Sequence, residues 1–139
     1  PLPLMELTGG NLDGARLEAL AWFPASIRSA FTEWQSSNTQ IDNKVVQILQ
    51  GSRPGSPPVN FYFDTSGLLV RIMRWNKTAI GTVPTEINYS DYRDVSGIKI
   101  PFHTVVTWTD GKDTLRLNEV AVNIAIEASR FARPAPFKR

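Results

Sequence analysis

Cysteine is absent from the 139 residues of this chain, which excludes disulfides, thiolate-ligated zinc or iron–sulfur centres, thiol catalysis and Cys-X-X-Cys-His haem attachment within it. Histidine occurs once, as His103. One imidazole with no His-X-X-X-His partner and no acidic cluster makes neither a metal site nor a base for a serine nucleophile. Serines lack a Gly-X-Ser-X-Gly elbow, and the glycines at Gly9-Gly10 and at Gly51 to Gly55 are not followed by the Lys-Ser/Thr and helix of a nucleotide-binding phosphate loop. We therefore expect no metal, no cofactor and no enzymatic activity. No apolar run approaches the ~20 residues of a transmembrane helix. Basic residues are in small excess, 15 against 13 acidic for a net +2, too little to argue for nucleic acid. Arg130, Arg133, Lys138 and Arg139 form the main basic grouping, in a Pro-rich C-terminal tail that reads as a solvated end.

What is present is an ordinary globular composition, with 42% hydrophobic residues. Length alone favours one domain at about 100 to 200 residues each, able to bury roughly two thirds of its unfolded surface without metal or disulfide staples. The chain opens at Pro1 without Met, which reads as a module or processed form of a longer protein. Residues 1–36 read as a lead-in and helices. Ala15, Leu17, Leu20 and Ala21 suggest a brief helix from Leu12 to Trp22. Ile27, Phe31 and Trp34, spaced by four and three, suggest an amphipathic helix from Pro24 to Gln35 with Pro24 in its first turn.

From residue 44 to 122 the period falls to two. Six strands are expected: Lys44 to Gly51, Val59 to Asp64, Leu68 to Trp75, Thr85 to Arg93, Lys99 to Trp108 and Asp113 to Val122. Asp64-Thr-Ser-Gly67, Val95-Ser-Gly97 and Asp110-Gly111 supply hairpin turns, Ser52 to Pro58 a longer loop, and Asn76 to Pro84 a longer crossing. Short links favour antiparallel neighbours. The expected fold is α+β, a curved antiparallel sheet cupping one or two N-terminal helices, with residues 123–139 a C-terminal turn and tail. Several strands carry apolar groups on both sides: Leu69, Met73 and Trp75 alternate with Val70 and Ile72. A one-sided sheet does not account for them; closed ends, a ligand or a partner chain would. Arg93 between Asp91 and Asp94 suggests a local charge pair, and Glu119 one with Arg116.

Asp91-Tyr-Arg-Asp-Val-Ser-Gly-Ile-Lys-Ile-Pro-Phe102, then Leu117-Asn-Glu-Val120, Asn123 and Ala128 to Phe131, resembles the C-terminal part of the LolA/LolB-like outer-membrane lipoprotein-sorting family. Phe61-Tyr-Phe-Asp-Thr-Ser-Gly-Leu-Leu-Val70 is similar to that family's hairpin of strand, Asp-X-X-Gly and strand. With Leu7-Thr-Gly-Gly-Asn-Leu-Asp-Gly-Ala15 and Trp22-Phe-Pro24, the nearest likeness is to domains accompanying c-type haem modules in bacterial proteins named after the photosynthetic reaction-centre cytochrome c subunit. The resemblance implies an unclosed β-barrel with helices in its hollow, a periplasmic or envelope location, and a lipid or lipidated peptide as ligand. It implies, alternatively, an accessory domain packed on a haem-bearing module, its hollow plugged by its own helix. An acyl chain needs only an apolar trough, since each buried CH₂ contributes roughly 0.8 kcal/mol. The large apolar side chains suited to line one are Ile27, Phe31, Trp34, Phe61, Phe63, Met73, Trp75, Val106 and Trp108.

Overall fold

The computed structural model describes residues 6–22, 24–78 and 81–134. The start of the lead-in (1–5) and the tail from residue 135, with Lys138 and Arg139, lie outside the described residues. Helix α1 (Gly9–Ala21) is followed by a one-turn helix α2 (Pro24–Ile27) that tightens into a 3₁₀ turn over Arg28–Ala30. Seven strands follow: β1 (Glu33–Ile41), β2 (Lys44–Ser52), β3 (Val59–Phe63), β4 (Leu69–Thr78), β5 (Gly81–Val95), β6 (Ile98–Trp108) and β7 (Gly111–Arg116). They form one antiparallel sheet in chain order, β1 at one edge and β7 at the other. The architecture is thus the expected unclosed α+β meander, with seven strands in place of six.

The extra strand lies where a helix was expected to end. Phe31 already has extended backbone, φ −129° and ψ 147°, and the Thr32 amide donates to the Ser52 carbonyl at 2.9 Å, so pairing begins within the segment read as helical. β1 has almost no alternation to reveal it, since Trp34 and Ile41 are its only large apolar residues. Its pairing is held by backbone bonds to β2 and by a two-residue turn in which Asp42 (φ 49°) and Asn43 (φ 62°) are both left-handed, the geometry that matches strand twist in tight hairpins. The expected crossing from Asn76 to Pro84 is likewise a hairpin, β4 pairing with β5 as far as Thr78 and Gly81. β7 is shorter than expected, ending at Arg116. Glu119 thus falls beyond the sheet, and no ion pair joins it to Arg116 among the described residues. The segment after β7 contains a 3₁₀ turn over Ala128–Phe131.

Strand register sets the two faces. Leu49, Phe61, Ile72, Ile87 and Val106 are successive partners across five strands, and Phe61, Ile72 and Ile87 are almost fully buried. The helices cover this face. Leu17 of α1 joins the buried cluster with Phe31 and Val59. Glu18 pairs with Arg74 of β4 at 3.2 Å, and Gly14 leaves space that any Cβ would take from the Arg74 guanidinium. The opposite face is a polar ladder: Gln50 donates to Asn60 at 2.8 Å, Arg71 to Asn88 at 2.7 Å, and Asn88 to Glu86 at 2.7 Å.

Phe31, Trp34 and Phe61 meet edge to face or tilted, with ring centroids 5.1 to 5.9 Å apart. Gly51, the partner of Trp34 on β2, admits the Phe31 ring: a Cβ there would lie 2.6 Å from the ring. Gly51→Ala is therefore expected to destabilise the domain by about 1 to 3 kcal/mol, as overpacking of a filled core does. Urea denaturation of the variant against the parent chain checks this; unchanged stability would mean that the ring relocates freely.

Candidate hydrophobic cleft

Between the end of α1, α2 and the covered face of the sheet lies a cleft of about 790 Å³. Ala21, Trp22 and Ile27 line it from the helices, Leu49, Phe61 and Phe63 from β2 and β3, and Ile98, Ile100 and Pro101 from β6. Because side chains from six strands and both helices border one opening, the sheet must bend around it. Val122, past the last strand, completes the lining.

Tyr89 and Tyr92, with Arg28 and Lys99, bring polar groups to the cleft lining. Alternation would put Tyr89 and Tyr92 on opposite faces of β5, yet both line the cleft. Asp91 between them is left-handed (φ 55°), and its pairing with Phe102 drops out of the β5–β6 ladder. A short polar side chain tolerates that conformation, and Arg93 secures it by pairing with Asp91 at 2.6 Å while lying 4.3 Å over the Phe102 ring. The Asp91 carboxyl is held below its ordinary value, chiefly by the hydrogen bond from Arg93. At the hairpin tip Asp94 accepts from the Gly97 amide at 2.9 Å and pairs with Lys99 at 3.5 Å. The Tyr92 hydroxyl donates to the Leu69 carbonyl. Burial, then the charge of Asp64, pushes its phenol up to about 12. Tyr89 is also raised, first by burial and then by Glu18, with Arg74 opposing. Both phenols are therefore neutral hydrogen-bond donors set in an apolar wall. Among the described residues that line the cleft, no nucleophile has a base beside it.

The residues singled out from sequence separate into groups. Ile27, Trp34, Phe61 and Phe63 line the cleft. Phe31 is buried behind them and, with Trp75, borders a second, smaller hollow near the start of α1. Val106 packs against the buried cluster beneath. Met73 is paired with Asn60 and Glu86 on the opposite, polar face, because Ile72 takes the inward position. Trp108 is 42% exposed at the end of β6, its indole over Gly111. Tyr89, Tyr92, Leu49, Leu69, Ile98, Ile100 and Pro101 were missed: the tyrosines need the left-handed Asp91, and the others belong to strands that also carry apolar side chains outward. His103 hydrogen-bonds with Ser90 at 2.9 Å across the strand pair, away from the cleft. Among the described residues no three His, Cys, Asp or Glu side chains are grouped to hold a metal ion. No helix among the described residues is long and apolar enough to cross a membrane.

The fold and the cleft define a class: an unclosed antiparallel sheet with helices on one face and an apolar opening between them. Residues 6–118 match a family model described as a family of unknown function, DUF6544, and the chain belongs to that family. The match runs from before α1 to just past β7, so it spans both helices and all seven strands, while Val122 and the turn at Ala128–Phe131 lie beyond it. No curated protein and no solved structure matches the chain significantly.

The tyrosines give the cleft a pH signature. A phenol whose folded-state value is raised is bound to its proton more tightly when folded. Its contribution to stability is therefore intact below the ordinary tyrosine value of about 10 and is lost as pH climbs above it. Stability should hold to about pH 10 and fall toward about 12, where Tyr92 titrates. Phenolate absorbance followed alongside circular dichroism checks this. Ionisation of Tyr89 and Tyr92 at the ordinary value with the fold intact would show that neither is buried.

Proposed function

We propose that this domain is a non-enzymatic binding module that holds a hydrophobic ligand, a lipid or a lipidated peptide, in the cleft between its helices and its sheet. One observation carries the reading: the opening of about 790 Å³ remains although Ile27, Phe31 and Trp34 already fill part of the hollow. Ligand sites run to about 300–1,000 Å³, mostly apolar with a few polar groups, and the two tyrosine hydroxyls are such groups. At roughly 25 cal/mol per Å² of apolar surface removed from water, a chain laid along these walls gains affinity without any specific bond. The same opening weighs against a hollow plugged by its own helix, the arrangement expected of an accessory domain on a haem-bearing partner. The reading agrees with the resemblance to the lipoprotein-sorting family, and on it the domain would work in the bacterial envelope.

Native mass spectrometry of the purified chain, followed by organic extraction of the same sample, tests this. A stoichiometric hydrophobic species is expected, and a bare mass that also fails to take up added dodecanoate or dodecanol would overturn the proposal. Ile98, 57% exposed at the cleft, separates binding from folding. Ile98→Asp should change stability by no more than about 0.5 kcal/mol, as exposed substitutions do. It should also weaken uptake of an apolar dye about fivefold, the equivalent of about 1 kcal/mol of lost apolar contact. Trp34→Ala, which opens the aromatic cluster, should lower both.

A further inference from the structure

The smaller hollow beside α1 differs in character from the cleft. It has a volume of about 250 Å³ and is bordered by Arg16 of α1, Arg53 of the β2–β3 loop, and Arg74 and Lys77 of β4. Asp13 is its only acidic lining residue. Four cations thus border one small hollow in a chain whose total excess is only +2. Like charges gathered in one place repel one another, and an arrangement of this kind is favourable when a counter-charge completes it.

Three of the four cationic head groups are fixed on residues of the hollow itself. Arg53 donates from Nε to the Ser56 hydroxyl at 3.2 Å, and Lys77 donates from Nζ to the Gly55 carbonyl at 3.3 Å. Arg74 donates from Nη1 to Asn76 at 2.8 Å and from Nη2 to Glu18 at 3.2 Å. The Arg74 side chain is 12% exposed, and its buried Nε has no acceptor among the described residues. A buried N–H without an acceptor is rare and costly, and an ordered water or ion commonly satisfies it. With Arg74 discounted for its bond to Glu18, three cations still border the hollow against Asp13.

We propose that this hollow is a second binding site, taking a phosphoryl group or a comparable tetrahedral oxyanion. Guanidinium forks and an ammonium point charge suit such a group, whose several oxygens accept from more than one donor at a time. The volume suits a phosphate-sized group and falls below the range of drug-sized ligands. Glu18 holds Arg74 through Nη2, so the anion is met chiefly by Arg16, Arg53 and Lys77. The site is independent of the cleft: Phe31 and Leu17 border it, whereas Trp34 and Phe61 border the cleft.

The test is an NMR titration of the arginine Nε–Hε resonances of the intact chain with inorganic phosphate, ionic strength held constant with chloride. Saturable shifts at Arg16 and Arg53 are expected. Arg53→Gln and Lys77→Gln, both at exposed positions, should each weaken phosphate binding about tenfold, the effect of losing one charge-assisted hydrogen bond. A second arm uses a short-chain, monomeric phosphatidic acid beside the matching phosphatidylcholine. Saturation by phosphatidic acid alone would support the site and identify its source as a lipid headgroup; saturation by both phosphate and phosphatidic acid would support a general oxyanion site. Shifts that follow chloride equally, or that persist unchanged in both variants, would overturn it. Failure of the cleft to bind lipid would leave the phosphate arm unaffected.

Discussion

The fold turns on the fit of one aromatic ring against one missing side chain. Phe31 can leave the helical segment and enter the core only because Gly51 presents bare backbone to it. That placement starts β1 at the next residues and sets Trp34 across from Gly51. Phe31, Trp34 and Phe61 then form a wall with hollows on either side, an apolar one bordered by Trp34 and Phe61 and a cationic one bordered by Phe31. Aromatic contacts of this geometry add about 0.5–1.5 kcal/mol each beyond area burial.

How far the sequence could be read depended on where periodicity carried information. The strands after β1 were legible because buried residues recur at every second position in β3 and β5 and because Asp64-Thr-Ser-Gly67, Ser96-Gly97 and Asp110-Gly111 punctuate the chain. β1 was not, since an edge strand solvated on both sides has no apolar rhythm. Its one signal was the pair Asp42-Asn43, whose residue types favour the left-handed conformation found there. The spacing of Ile27, Phe31 and Trp34 did report a shared environment, for all three pack at the same cluster. It misreported the path: the first is helical, the second lies in an extended link and the third is on a strand.

The cleft was legible only in part, for a related reason. Large apolar side chains at Ile27, Trp34, Phe61 and Phe63 identify a hollow whatever its details. Met73 and Trp75 could not be assigned a side without knowing that Ile72 points inward, because β4 is apolar on both faces. Tyr89 and Tyr92 depend on a backbone kink at Asp91, and a pattern of residue types does not contain a dihedral angle. The cationic hollow draws on Arg16, Arg53, Arg74 and Lys77, dispersed over three elements that only the helix packing brings together.

An unclosed sheet leaves backbone donors and acceptors exposed along both margins, and such margins can recruit any extended segment that passes. Here the outer strand at one margin is Glu33-Trp-Gln-Ser-Ser-Asn-Thr-Gln-Ile41, nearly all of it polar, and the other is six residues long with Lys112 and Arg116 along it. Neither offers the continuous apolar strip that would make self-assembly into fibres favourable. The near-absence of hydrophobic rhythm in β1, which hid the strand from view, is thus also what protects the open sheet from its own copies.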